Sequence, residues 1–285
     1  MLSIGVRGGG QMHVPTVADG AVSALKPGIG GIGSLDLRYT YYGSMAPQAE
    51  IGLGIGAGFG YGTAGMKGTH TDQYTNTDYL GNTIDYTIMS DFTQRDQFAK
   101  LDMSLLVAMR FSGVTVNIGS RFMMPLAQKG KLTVNEATID AYYPLYDVHV
   151  VNQQITGYMP TPYTDKRSSD IARYHLLLTA EIGYEWRLAE QHALGVQLFA
   201  EVGVWHSKTT RPQAAEPLIQ VAPIADASQP VPAVEVGSVE PLISGRRYIG
   251  FGMRAYYAFD FTSSRNTRSN PSYDSRLHHN RYLWH

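Results

Sequence analysis

Residues Tyr248–Phe261 alternate between apolar side chains and polar or small ones without interruption. Successive side chains of a β-strand point to opposite faces, so this run is predicted to be one strand with an apolar face and a polar face. The run is long enough to cross a bilayer at a tilt, which takes about 9–11 residues. The end of the chain is therefore predicted to be a strand whose two faces meet two different environments.

Seven earlier segments show the same alternation, the first of them most weakly. They are Leu2–His13, Ile29–Tyr42, Ala49–Gly62, Ala99–Phe111, Val114–Leu126, Ala172–Arg187 and His192–Ser207. With Tyr248–Phe261 they make eight, and bacterial membrane barrels have an even number of antiparallel strands. The predicted fold is all-β: an eight-stranded antiparallel transmembrane β-barrel.

The connections between these segments alternate in length. The short ones are Gly43–Gln48, Ser112–Gly113 and Leu188–Gln191, and the long ones are His13–Gly28, Thr63–Gln97, Ala127–Ile171 and Lys208–Arg247. Short periplasmic turns and long extracellular loops are typical of outer-membrane barrels. Aromatic residues cluster at the turn end, as in an interfacial belt: Tyr39, Tyr41, Phe111, Tyr184, Trp186, Tyr257, Phe259 and Phe261. This layout predicts the outer membrane of a Gram-negative bacterium, with both termini periplasmic.

Composition excludes several classes of function. The formal net charge is −1, so no general attraction to nucleic acid is expected. The chain has no cysteine, which excludes disulfides and thiol chemistry. No apolar run approaches the roughly 18 residues of a membrane helix. No secretory signal precedes the first predicted strand, so we expect a mature or trimmed chain.

The closing strand Gly250–Phe261 and the central hairpin Leu101–Leu126 resemble those of small eight-stranded outer-membrane barrels. The group is that of the OmpA transmembrane domain and OmpX, in particular its Bacteroidetes members. Four residues resemble the terminal β-signal that the barrel-assembly machinery reads: Gly252, Tyr257, Phe259 and Phe261. The resemblance implies a barrel over residues 1–261 and a periplasmic tail over 262–285. Such a signal usually ends the chain, and here the tail follows it.

A soluble eight-stranded barrel of the lipocalin kind is the alternative fold. Its apolar face would point inward and its charged face outward. Such a barrel has little reason to keep turn-end aromatics on the apolar face. It also has little reason to carry glycines along one face of a strand, as at Gly52, Gly54, Gly56, Gly58, Gly60 and Gly62. In a narrow membrane barrel these glycines make room for long charged side chains from neighbouring strands.

The polar faces of the strands are predicted to form a luminal charge network. Its members are Arg7, Asp36, Arg38, Glu50, Lys100, Asp102, Arg110, Arg121, Glu181, Glu185, Glu201 and Arg254. Eight strands leave an interior just wide enough for side chains, and desolvated charges must be paired. Because both signs are present, a salt-bridged plug is favoured over a selective channel, which would show a ring of one sign.

Two patterns suggest chemistry that the strand prediction argues against. Gly28–Gly33 matches G-x-G-x-x-G, yet the alternation continues through it and no helix follows to bind a dinucleotide. Some small outer-membrane barrels are enzymes, and His13, His70, His149 and the pair His206–Ser207 are candidates near the outer rim. Adjacent residues on a strand face opposite ways, so His206, predicted on the lipid face, cannot pair with Ser207. We expect no enzyme activity, no cofactor and no metal site.

The tail carries apolar anchors that a solvating segment would not need: Tyr273, Leu277, Tyr282 and Trp284. They predict a partner-binding segment, with a disordered remnant as the alternative. The function hypothesis is a non-enzymatic structural or accessory subunit of a larger outer-membrane complex for barrel assembly, secretion or uptake. The expected partners are outer-membrane lipid or lipopolysaccharide and another outer-membrane protein or lipoprotein, and no nucleic acid. A stand-alone surface barrel binding ligands through its loops, or a narrow channel, are the alternatives.

Overall fold

The computed structural model describes residues 1–17, 23–46, 49–78, 80–154, 162–167, 174–206, 217–222, 234–237, 239 and 242–261. These residues form twelve strands. They are β1 (Leu2–Val17), β2 (Ser23–Ala46), β3 (Ala49–Thr77), β4 (Thr83–Phe111), β5 (Val114–Tyr143), β6 (Val148–Gln154), β7 (Tyr163–Arg167), β8 (His175–Arg187), β9 (His192–His206), β10 (Ile219–Val221), β11 (Val234–Val236) and β12 (Ile243–Phe259). Among the described residues, no helix is long and apolar enough to cross a membrane.

Eight of the strands close into a ring in which every neighbouring pair is antiparallel. The order around the ring is β1, β2, β3, β4, β5, β8, β9 and β12, and β12 pairs back onto β1. The closing seam runs from Leu2 opposite Phe259 to Val17 opposite Ile243. The predicted eight-stranded antiparallel barrel is thereby confirmed, and each predicted segment overlaps one strand of the ring.

The short connections are tight turns at one end of the ring. Ser112 and Gly113 join β4 to β5 with φ angles of 47° and 87°. Positive φ at both central residues is the type I′ hairpin turn, whose twist matches that of the flanking strands. Between β8 and β9, the Leu188 amide donates to the His192 carbonyl at 2.9 Å. The chain therefore reverses tightly at this end, as the turn residues predict.

An apolar belt covers the outer face of the ring next to these turns. Its residues project away from the barrel and stay exposed, with Leu35, Leu53, Met103, Leu198 and Phe251 each at 59–63%. The inner face of the same strands carries charged and small side chains instead. An outer surface with this apolar belt needs an apolar solvent, because soluble proteins rarely expose apolar patches beyond a few hundred Å². The face assignment is that of a membrane barrel and opposite to that of a soluble one.

Above the belt the same strands reverse which of their faces is apolar. On β4, the outward residues from Leu101 to Phe111 are mostly apolar, whereas Asp85, Thr87, Asp91 and Arg95 are also outward and polar. The inward residues of that upper part form a hydrophobic core with β5 and with the segment before β12. Among its members are Ile84, Ile88, Phe92, Leu132, Val134, Ile139, Leu218, Ile219, Val221 and Leu242. The barrel thus continues beyond the belt as a structure of the soluble kind, with its apolar residues inside.

All four predicted long loops are shortened in the structure. Within His13–Gly28, β1 continues to Val17 and β2 begins at Ser23, and within Lys208–Arg247, β12 begins at Ile243. Thr63–Gln97 was expected to be a loop, but most of it belongs to β3, which ends at Thr77, and to β4, which begins at Thr83. Ala127–Ile171 likewise contains the upper half of β5 together with β6 and β7. Strands β3, β4 and β5 reach 29, 29 and 30 residues, far more than the roughly 10 that span a bilayer. The sequence alternates there too, but with the apolar residues facing inward.

Glycines at the closing seam allow two backbones to approach closely. Gly9 of β1 lies opposite Gly252 of β12. A Cβ on Gly9 would lie 2.1 Å from the Phe251 carbonyl oxygen, and one on Gly252 would lie 2.2 Å from the Gly8 carbonyl oxygen. Neither position can hold a larger residue unless the seam opens, since backbone atoms cannot move aside singly. Gly252, predicted as part of the closing-strand signal, therefore has a role in closing the ring.

Replacing Gly9 with valine is expected to impair closure, since overpacking costs about 1–3 kcal/mol or more. Gly8→Val is the matched control, because a Cβ on the neighbouring, outward Gly8 meets no atom nearer than 4.0 Å. Folding yield into detergent micelles, followed by the mobility of unheated and heated samples on gels, measures the effect. Equal yields for both variants would contradict the close approach at the seam.

Candidate functional site

The interior at the level of the apolar belt is filled by paired charges. All twelve residues of the predicted luminal network face inward, and all except Glu50 are buried. Ser207, a candidate near the outer rim, lies outside the described residues. The structure therefore brings the predicted charges together in one continuous interior.

Two carboxylates join the central part of this network. Arg38 binds Glu181 with two hydrogen bonds of 2.7 and 2.9 Å, and Asn117 donates to the same carboxylate at 2.9 Å. Arg7 donates to Glu201 at 3.0 and 3.1 Å, and its guanidinium also lies 3.9 Å from Glu181. Each glutamate therefore neutralises arginines from different strands, which ties opposite walls of the barrel together.

The remaining charges extend the network around this centre. Arg121 lies 2.9 Å from Glu201 and 3.7 Å from Asp102, and Lys100 lies 3.0 Å from Asp102. Arg254 donates twice to Asp36, at 2.7 and 2.9 Å. The Gly54 and Gly58 positions lie against Arg38 and Asp36, so these glycines leave room for neighbouring charged side chains as predicted from the sequence.

At the turn end, Arg110 closes the network. Its guanidinium donates to Glu50 at 2.5 Å and to Glu185 at 2.8 Å, and it lies 3.8 Å from Asp260. Tyr256 also donates to Glu185, at 3.0 Å. Since the interior of an eight-stranded barrel only accommodates side chains, charges that are paired at every level act as a plug. Chemically, the arrangement holds the walls of the barrel together and fills its interior with paired side chains.

A layer of histidine and aromatic rings lies above the charges. His13 and His175 are buried with ring centroids 5.9 Å apart, and Tyr248 and Phe98 pack against His13 at 5.4 and 5.9 Å. His206 lies near His175, at 6.3 Å between centroids. The prediction that His206 faces lipid is wrong, because the pairing of β9 with β8 skips Val204: Gly203 lies opposite Leu177, and Trp205 lies opposite Leu176. This bulge exchanges the two faces beyond it and turns Trp205 outward.

The other candidate histidines lie elsewhere. His149 is exposed and stacks on Tyr142, with 4.3 Å between centroids. His70 is buried and contacts Ser23 through Nδ1 at 2.7 Å and Asp72 through Nε2 at 2.9 Å. Within the described part of the chain, no group of three or more His, Asp or Glu side chains is arranged to hold a metal ion. The sequence candidates thus do not converge on one catalytic centre.

The contact of His70 with Asp72 belongs to an anchor for the segment before β12. Asp72 accepts the amides of Leu218 and Ile219, both at 2.9 Å, and Asn76 donates to the Val221 carbonyl at 2.8 Å. The Val221 amide donates to the hydroxyl of Tyr74. Burial raises the pKa of Tyr74 to about 12, so this hydroxyl is protonated at every physiological pH. No local sequence pattern signals this anchor, because its partners are about 145 residues apart.

Two other sequence predictions concern the G-x-G-x-x-G run and the tail. Gly28–Gly33 lies wholly within β2, where the pairing with β3 shifts between Gly28 and Ile32, and no helix follows it. A Cβ on Gly30 would lie 1.7 Å from the Thr63 carbonyl oxygen, so glycine is required by this irregular pairing. The tail residues Tyr273, Leu277, Tyr282 and Trp284 lie outside the described residues.

Comparisons with known proteins give no family. No family model and no curated protein matches the chain. Solved structures that match include the transport unit of the autotransporter AIDA-I from Escherichia coli, with 8% identity, a TM-score of 0.29, and coverage of 91% of this chain and 90% of that one. Another is the outer membrane protein OprG from Pseudomonas aeruginosa, with 10% identity, a TM-score of 0.25, and coverage of 89% and 95%. With TM-scores this low, the assignment of the fold depends on the strand ring itself.

Glu201→Ala is expected to lower the free energy of unfolding by about 3–5 kcal/mol, because Arg7 and Arg121 would remain buried without their carboxylate. Glu190→Ala, on the exposed β8–β9 turn, is the control and should stay within about 0.5 kcal/mol of the parent. Urea titration of the protein folded in lipid vesicles measures both. A Glu201 variant as stable as the control would show that the plug is not held by these pairs.

Asp72→Ala is expected to free the Leu218–Val221 segment, since two buried amides would lose their acceptor at a cost of about 1–3 kcal/mol. Hydrogen exchange of a peptide that contains Leu218 and Ile219 should then accelerate by roughly 5–150-fold. Gln73→Ala changes the adjacent, exposed and outward side chain and should leave this exchange unaltered. Unchanged protection in Asp72→Ala would mean that the hydrophobic core alone holds the segment.

Proposed function

We propose that the chain is an outer-membrane β-barrel that acts as a non-enzymatic structural or accessory subunit of a larger outer-membrane complex. The observation that carries this proposal is the filled interior. Paired charges occupy the barrel at the belt, rings lie above them, and a hydrophobic core fills the upper part. Because the lumen is occupied at each of these levels, the outer surfaces and the tail are left for function.

The outer face of the barrel supports a membrane location, because its lower and upper parts require two different solvents. The exposed apolar belt needs lipid, and the polar outer face above it needs water. Aromatic residues such as Tyr41, Trp186 and Tyr257 are exposed at the turn end of the belt, where interfacial aromatics are expected. We place the turns and both termini in the periplasm and the upper part outside the cell. An OmpA- or OmpX-like barrel of the Bacteroidetes remains our proposal for its type.

The partner is proposed to be another outer-membrane protein or a lipoprotein, bound in part by the tail. Strand β12 ends at Phe259, so the tail begins directly beneath the barrel at the turn end. Tyr273, Leu277, Tyr282 and Trp284 would then face the periplasm, where a soluble partner domain or a lipoprotein is within reach. Barrel assembly, secretion and uptake machines all offer such partners.

A stand-alone surface protein is the second candidate, and the ordered upper part favours it. Strands β3, β4 and β5 rise well above the belt, and their own hydrophobic core makes a rigid support for the turns at their ends. Binding residues are commonly carried on loops that a rigid scaffold positions. A narrow channel is the least favoured candidate, because the luminal charges are paired across the barrel.

Purification of the tagged protein from its native membrane in a mild detergent is expected to yield a stoichiometric partner, identified by mass spectrometry. Removal of residues 262–285 should lose that partner, and so should serine at Tyr273, Leu277, Tyr282 and Trp284, which keeps length and charge. A control tail with Arg265 and Arg268 replaced by glutamine should retain it. A clean monomer from the unmodified chain would contradict the accessory role and favour the surface-protein candidate.

A further inference from the structure

An open groove of about 960 Å³ runs over the outer face of β4, β5 and β7. Four cations line it, and we call it the basic groove: Arg95, Lys129, Lys131 and Lys166. Its lower edge coincides with the upper edge of the apolar belt. On β4, Arg95 lies four residues before Ala99, which is roughly 10 Å along a tilted strand. On β5, Lys129 follows Leu126, an exposed apolar residue of the belt.

Three of the four cations of the basic groove lie in direct register across three strands. Arg95 is paired with Lys131, and Lys131 is paired with Lys166 on its other side. Like charges directly opposite each other destabilise a sheet. No acid is among the described residues that line the groove. Asp96, next to Arg95, is buried on the other face and lies 2.5 Å from Arg246. Arg95, Lys131 and Lys166 therefore form a row of positive charge that the described part of the chain does not neutralise.

The chemistry around the cations suits a phosphorylated, sugar-based headgroup. Arginine binds phosphate with two parallel hydrogen bonds, and lysine adds point charge. The other lining residues are mostly amides and hydroxyls, which bind sugar hydroxyls: Thr93, Gln97, Gln128, Thr133 and Asn135. Below the groove, Leu101, Met103, Phe122 and Leu126 are exposed on the same strands, where acyl chains would lie.

We propose that the basic groove binds the phosphate groups of a phosphorylated glycolipid in the outer leaflet of the membrane. The inference rests on the proposed membrane location and gives the expected lipid partner a defined site. A membrane lipid is the favoured source of phosphate, because the groove opens directly above the lipid-facing belt. Neutralising Arg95, Lys131 and Lys166 would stabilise β4, β5 and β7 against one another. The lipid would also fix the depth and rotation of the barrel.

Native mass spectrometry of the full-length protein in a neutral detergent tests the proposal. The probes are diphosphorylated lipid A, the same lipid with both phosphates removed, and inorganic phosphate as a competitor. The groove variant is Arg95→Gln with Lys131→Gln. The control is Lys26→Gln with Arg247→Gln, which removes two exposed outward cations from β2 and β12, away from the groove. Gel mobility before and after heating verifies that every variant is folded.

We expect the groove variant to lose about tenfold or more in affinity for diphosphorylated lipid A, and the control to stay within about twofold. Lipid without phosphates should bind the parent as weakly as the phosphorylated lipid binds the groove variant. Equal losses in both variants would reduce the effect to general surface charge and overturn the proposal. Displacement by millimolar phosphate would also overturn it, in favour of a soluble anion. If the folded barrel binds lipid A equally well with and without its phosphates, the groove is refuted as a phosphate site but the membrane barrel is not. If the protein fails to insert into vesicles, the membrane barrel itself is refuted.

Discussion

The pairing of buried charges is the constraint on which the rest of this structure depends. A ring of eight strands with an apolar outside must place its polar residues in a space only as wide as a few side chains. Arg7, Arg121 and Glu201 meet there at distances of about 3 Å, and neither sign is tolerable without the other. Because these residues come from three strands, their pairing fixes how the strands are arranged around the ring. The same pairs stabilise the fold and fill the lumen.

The long strands meet lipid at the belt and water above it, and their side chains alternate between the two faces at both levels. Side chains alternate with period two along the whole of β4, yet Leu101 faces outward into the belt and Ile88 faces inward into a core. The exchange occurs near Phe98 and Ala99, where the outside must change from lipid to water. On β4 the alternation of faces is unbroken there, although its pairing with β5 shifts between Phe98 and Lys100. The border of the membrane is thus encoded in residue type.

This explains what could be predicted from the sequence. Eight strands, their turns and the inward charges followed from alternation, since an apolar outer face is a strong signal. The upper halves of β3, β4 and β5 were missed because Thr, Gln and Asp on the outer face resemble loop composition. The predicted face of His206 was wrong because the bulge at Val204 is invisible in one sequence. The anchor of Leu218 on Asp72 joins distant segments, which no local pattern reveals.

A filled barrel shifts the functional question from the lumen to the outer surface, and the surface is not uniform. Around the border of the membrane, Arg95 faces Lys131, and both side chains are exposed. Further from the belt, Asp91 faces Glu136 instead. Such pairs cost stability within the sheet, so they are best understood through what lies outside it. A basic level beside lipid headgroups and an acidic level beyond them would hold the barrel at one depth, with its rigid upper part facing away from the membrane.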